Sequence, residues 1–152
     1  MNLFVLHTDI GETDIAEYSH YSLWGEIYVE VDGRCFPGEE WYDIASSILD
    51  MWLQNLIELL RGKKRQRLYF MDGPYWMDAA LHGDVCELSF SKENVTYSVS
   101  TYQFIQEVIT QGRELVELAR TRCPDFWNSH CCRNIQKNCR VLSEQLEDYL
   151  QS

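Results

Sequence analysis

Residues 67–100 read RLYFM DGP YWMDAAL HGD VCELSFS KEN VTYSVS. Four apolar runs, Arg67–Met71, Tyr75–Leu81, Val85–Ser91 and Val95–Ser100, are separated by turn segments of three residues each. Asp72-Gly73-Pro74, His82-Gly83-Asp84 and Lys92-Glu93-Asn94 carry the turn chemistry. Gaps this short cannot hold the crossover that parallel strands need, so the segment predicts an antiparallel meander.

Working toward the N-terminus, Trp24-Gly25-Glu26-Ile27-Tyr28-Val29-Glu30-Val31 alternates cleanly. Ile27, Val29 and Val31 share one face of a strand, and Trp24, Glu26, Tyr28 and Glu30 share the other. Asp32-Gly33 ends it with a turn signal. Residues 3–6 read as a short apolar strand. Residues 8–22 are polar and acidic, and read either as a long loop or as carrying a short helix around Asp14–Tyr18. Pro37-Gly38-Glu39-Glu40 reads as the opening of a helix, with acids at its positive end. Trp41, Ile44, Ala45, Ile48, Leu49, Trp52, Leu56, Leu59 and Leu60 then recur at helical spacing. Met51, Leu53 and Ile57 widen the stripe, so this central helix is expected to be covered on more than one side, with Gly62 as its stop.

Toward the C-terminus, Ser100 and Gln103 have capping-box spacing. They open a helix carrying Phe104, Ile105, Val108, Ile109, Leu115, Val116 and Ala119, which Cys123-Pro124 breaks. A last helix places Trp127, Cys131, Ile135, Cys139, Leu142, Leu146 and Tyr149 on one stripe. The order of strands, helix, four strands and two helices predicts an α+β fold. Its expected form is an antiparallel β-sheet meander with a long central helix and two C-terminal helices packed on it, in a single domain over residues 1–152.

A chain of 152 residues, 45% hydrophobic and 13% aromatic, is long and apolar enough for one core. No run approaches the ~18 uninterrupted apolar residues of a membrane span. Met1–Leu6 lacks the basic start of a signal peptide and reads as a strand, so a cytoplasmic location is expected. The six cysteines then read as thiols in a reducing compartment.

The charge is one-sided. Residues 1–60 hold twelve acids against one base, Arg34, whereas residues 61–152 hold twelve of each, so the first part carries the whole net charge of −11. Such a field repels nucleic acid and acidic membranes and attracts basic partners. Acidity alone serves solubility. Here it is concentrated and mixed with Trp24, Tyr28, Tyr18 and Tyr21, and aromatic anchors ringed by charge are a common construction of tight protein interfaces. The candidate partner-binding residues are Asp9, Glu12, Asp14, Glu17, Trp24, Glu26, Tyr28, Glu30 and Asp32.

No motif points to catalysis, a metal or a cofactor. Cys123, His130, Cys131, Cys132 and Cys139 lack the paired spacing of zinc ligands. Adjacent Cys131 and Cys132 diverge by about 100° on a helix, and Cys131 and Cys139 fall on the apolar stripe, so packing is the expected role. His7, His20, His82 and His130 sit in no recognisable nucleophile motif. Gly-rich phosphate loops are absent. The basic run Lys63–Arg67 complements the dipole at the end of the central helix.

Three segments resemble the small, acidic, single-domain immunity proteins of bacterial contact-dependent inhibition and polymorphic-toxin systems: Trp24–Val31, Phe36-Pro37-Gly38-Glu39-Glu40-Trp41-Tyr42-Asp43 and Phe70-Met71-Asp72-Gly73-Pro74-Tyr75. The resemblance implies a cytoplasmic protein without catalysis that binds and blocks one basic toxin domain, often a nuclease. From the charge, neither nucleic-acid nor membrane binding is expected, and the chain is expected to be a monomer or weak homodimer. A secretion chaperone and an acidic DNA mimic are the alternative binding classes, and an enzyme with an unrecognised site is the third reading.

Overall fold

The alternation at residues 24–31 yields strand β2 (Gly25–Val31), in which buried and half-buried residues alternate without a break. This computed structural model describes residues 1–11 and 22–152, so the loop or helix expected around Asp14–Tyr18 lies outside the described residues. β1 (Phe4–Asp9) pairs antiparallel with β2, from Phe4 opposite Val31 to Asp9 opposite Glu26. It runs three residues past the expected end, because His7 and Asp9 are the outward members of an alternation whose inward members are Phe4 and Leu6. Asp32 and Gly33 have φ of +52° and +75°, the left-handed pair that a two-residue hairpin turn requires, and lead into β3 (Arg34–Phe36). β4 (Tyr42–Asp43) pairs with the start of β2.

The meander forms as expected. β5 (Gln66–Tyr69), β6 (Trp76–His82), β7 (Val85–Phe90) and β8 (Thr96–Ser100) lie in sequence order, each antiparallel to the next. The described strands make two four-stranded sheets, joined by one parallel bridge between Asn2 and Val99. The sheets do not merge further because the free edge of β1 is occupied. The Phe4 amide donates to Gln103 Oε1 at 2.9 Å, and the Phe4 carbonyl accepts from Gln103 Nε2 at 2.6 Å. One side chain thus replaces a neighbouring strand. Gln103 also donates its backbone N–H to Ser100 Oγ at 3.2 Å, so half of the expected capping box forms while its side chain serves β1.

The helices are α1 (Ala45–Leu60), α2 (Thr101–Arg122), the one-turn α3 (Pro124–Trp127) and α4 (His130–Gln151). α1 is the central helix. Strands cover one side and α2 and α4 the other, which buries Ile48, Leu49, Trp52, Leu53, Leu56 and Ile57 around most of its circumference. Its start differs from the sequence reading. The backbone at 41–43 pairs with β2 instead, the Ile27 amide donating to the Trp41 carbonyl at 2.8 Å and Tyr42–Asp43 forming β4, so no acid lies in the first turn of α1. The last helix likewise begins later, at His130, with Ser129 Oγ accepting from the Cys132 amide at 3.1 Å. This leaves Trp127 on α3 and puts Cys132 in the core while Cys131 is half-buried.

Two polar groups inside the core organise these parts. The fully buried Asp43 carboxylate accepts four hydrogen bonds. They come from the Ile44 amide at 2.7 Å, the Trp41 indole at 3.0 Å and the amides of Met71 and Asp72 at 3.1 and 3.0 Å. The Trp52 indole donates to the Tyr69 carbonyl at 2.8 Å, and Asn55 donates to the Arg67 carbonyl at 3.3 Å, closing the outer edge of β5. Phe36 of β3 stacks on Phe90 of β7 at 4.5 Å, with Phe70 and Tyr75 edge-on, so aromatic rings seal the junction of the sheets. No helix among the described residues is long and apolar enough to cross a membrane.

Replacing Asp43 with Ala strands its four donors and is expected to cost about 3–5 kcal/mol, read by urea unfolding. A loss under about 1 kcal/mol would refute the role assigned to this carboxylate. Gln103→Ala is expected to cost about 1–2 kcal/mol and to speed hydrogen exchange at the Phe4 amide ahead of the rest of β1.

Candidate functional site: the outer face of the first sheet

Because Ile27, Val29 and Val31 are committed to the core, the pleat turns Glu26, Tyr28 and Glu30 outward. The β1 register adds a second row, with Asp9 opposite Glu26, His7 opposite Tyr28 and Val5 opposite Glu30. The His7 and Tyr28 rings stack at 4.6 Å and 16°. His7 Nε2 lies 2.9 Å from Glu30 Oε1, a diagonal contact that becomes an ion pair when the imidazole is protonated. Trp24, just before β2, stacks against Tyr42 of β4 at 6.1 Å, and Tyr42 stands opposite Glu26. Gly25 lets the strands close here, since a Cβ would fall 2.5 Å from the Asp9 carbonyl oxygen.

The face is electrically negative. Desolvation, followed by the nearby Cys35, Glu39, Glu26 and Glu30, holds the Tyr28 hydroxyl above its ordinary value of 10.0. Burial and the charges of Glu30 and Glu39 raise the Cys35 thiol, against a smaller opposing effect of Arg34. Arg34, the one base among the first sixty residues, bonds instead to Glu93 of the β7–β8 turn at 2.8 Å.

Of the residues expected to bind a partner, Asp9, Trp24, Glu26, Tyr28 and Glu30 are brought together around the β1–β2 pair. Asp32 occupies the hairpin tip, off this face. Glu12, Asp14 and Glu17 lie outside the described residues, as do Tyr18 and Tyr21. His7, Tyr42 and Glu39 belong to the same surroundings and were not singled out from the sequence. The parity of His7 with Asp9 would have revealed it had β1 been extended past Leu6.

The cysteines are packing groups in this geometry. Cys86, Cys123, Cys132 and Cys139 are buried, and Cys131 faces α1, with its Sγ 3.8 Å from Asp50 Oδ2. Among the described residues no three His, Cys, Asp or Glu side chains are placed to hold a metal ion. Burial pushes the thiols of Cys86 and Cys131 up to about 12 and that of Cys139 to about 11. The basic run divides. Lys63, Lys64 and Arg65 are exposed beyond α1, whereas Arg67 belongs to β5, bonds Asp78 at 3.0 Å and lies 4.5 Å over the Trp76 ring. No family model, curated protein or solved structure matches the chain.

These raised thiols set an alkaline limit. An unfolded thiol titrates near 9.0 while folded Cys86, Cys131 and Cys139 hold their protons to about 12, 12 and 11. Their stabilisation is therefore complete below about pH 9 and is lost as pH rises from there toward about 12. Denaturant midpoints measured from pH 7 to 11 are expected to fall only above about pH 9. Cys86→Ala/Cys139→Ala should flatten that fall, and iodoacetamide at pH 7.5 should leave both native thiols unlabelled.

Proposed function

We propose that the chain is a non-enzymatic binding protein that neutralises a basic protein partner, in the manner of the immunity proteins it resembles. The observation that carries this reading is the two-strand row of Asp9, His7, Glu26, Tyr28 and Glu30, held in register on a surface whose reverse side is the core. Carboxylates there meet Lys and Arg of the partner and raise the rate of encounter. Tyr28 and Trp24 contribute rigid, amphipathic contact area. A cytoplasmic location and a toxin domain as the partner belong to the same reading.

The test uses the basic protein retained by the chain from its native host at low salt, purified and titrated back. Glu26→Gln/Glu30→Gln is expected to weaken binding by about 2–5 kcal/mol for each desolvated pair broken and to flatten its salt dependence. The matched charge change Glu144→Gln/Glu147→Gln on α4 is expected to leave affinity unchanged. Wild-type affinity and salt slope in the Glu26/Glu30 variant would place the interface elsewhere.

A further inference from the structure

α4 carries its charges in the order opposite to its own dipole. Arg133 stands at the end of the first turn, Lys137 and Arg140 follow on the same exposed ridge, and Glu144, Glu147 and Asp148 come last. The first turn has no acid and the last turn no base. A helix dipole favours the reverse order, so these charges work against helix stability. A local rule broken without a structural return marks a place where another requirement was met.

Lys137 of this ridge lines a cleft of about 360 Å³ between α1 and α4, within the range of small-molecule sites. Arg61 lines it from α1 and Lys137 from α4, with the carboxamides of Gln54 and Asn138 beside them. Ile57 and Val141 are its apolar lining. With its carboxamide turned so that the oxygen faces the guanidinium, Gln145 accepts from Arg61 Nε and Nη2 at 3.3 and 3.2 Å, an arrangement that orients the guanidinium. The carboxylate of the lining, Glu58, approaches Arg61 no closer than 3.9 Å. Lys63, Lys64 and Arg65 follow Arg61 directly. Of the cations in this part of the chain, Arg61 and Lys137 line the cleft, and Lys137 is not ion-paired with a described residue; Arg140 lines a separate cleft against α2, and Arg65 faces the second sheet.

We propose that this cleft binds a multiply charged anion, a phosphorylated small molecule, with Arg61 and Lys137 as direct contacts. Charges act over about 8 Å at physiological salt, so the field inside the cleft is set by the groups that line it, Arg61 and Lys137 against Glu58, rather than by the net charge of the chain. The attraction of the two cations grows with ligand charge, which favours phosphate esters over monocarboxylates. With Nε and Nη2 of Arg61 turned toward Gln145, the Nη1 edge of the guanidinium is left for phosphate oxygens, and the Asn138 carboxamide supplies a further donor. The site lies on the helical layer, independent of the acidic sheet face, and stands whether or not that face binds a basic protein.

The test is an NMR titration of the intact chain with pyrophosphate and with AMP, against acetate and sodium chloride at matched ionic strength. Saturable shifts are expected at the amides of Gln54, Arg61, Lys137 and Asn138 with the two phosphates only. Arg61→Gln and Lys137→Gln should each weaken binding about ten-fold, and Glu58→Gln should tighten it. Arg120→Gln, whose native side chain is engaged by Glu117, should leave it unchanged. Arg133→Glu should raise Tm by about 1–3 °C while weakening binding, a combination that damage to the fold cannot produce. Shifts that never saturate, that chloride reproduces, or that survive both glutamine variants would overturn the proposal.

Discussion

The Asp43 carboxylate is the joint on which the remaining structure turns. It is the last residue of β4, stands one residue before the first turn of α1 with Ile44 between, and receives the Met71 and Asp72 amides from the corner between β5 and β6. A buried carboxylate is costly unless its oxygens are fully engaged, and four donors from two segments, residues 41–44 and 71–72, meet that requirement. The two sheets therefore hold one position relative to each other and to the central helix. The Phe36–Phe90 stack supplies apolar area at the same junction without setting its register.

Edge control is the second constraint. A sheet edge is a row of unpaired amides and carbonyls that invites association. Here Gln103 occupies the edge of β1 at Phe4, and Trp52 and Asn55 take the outward carbonyls of β5. With those edges engaged by helical side chains, the outer face of the first sheet is left as an ordered surface. Its register, fixed by the two-residue turn at Asp32-Gly33 and by the burial of alternate β2 side chains, sets which groups become neighbours.

Charge is distributed by layer. Carboxylates gather on the outer face of the first sheet, while α4, which packs on α1 and α2, carries Arg133, Lys137 and Arg140 in its first half, with Lys137 facing Arg61 at the cleft, and Glu144, Glu147 and Asp148 in its second. Arg34, the one base in the acidic half, is drawn to Glu93 and so does not neutralise the sheet face. Where the chain supplies its own cations to aromatic rings, it does so on the second sheet, with Arg67 over Trp76 and Lys92 over Tyr75.

Period-two alternation at 24–31, three short turns in 67–100 and the apolar stripes of three long helices are local properties. They sufficed for the α+β class, the meander, the central helix and the inward and outward faces of β2. The grouping of Glu26, Tyr28 and Glu30 was legible for the same reason, since strand parity needs no partner. Tertiary structure alone decided the split into two sheets, the late start of α1, the pairing of His7 with Tyr28 and Glu30, and the meeting of Arg61 with Lys137 across the cleft. Each depends on hydrogen bonds or packing between residues distant in the chain. Gln103 has capping-box spacing from Ser100, yet its carboxamide binds Phe4, ninety-nine positions away, because the backbone amide and carbonyl of buried Phe4 at the strand edge need a partner that water cannot supply.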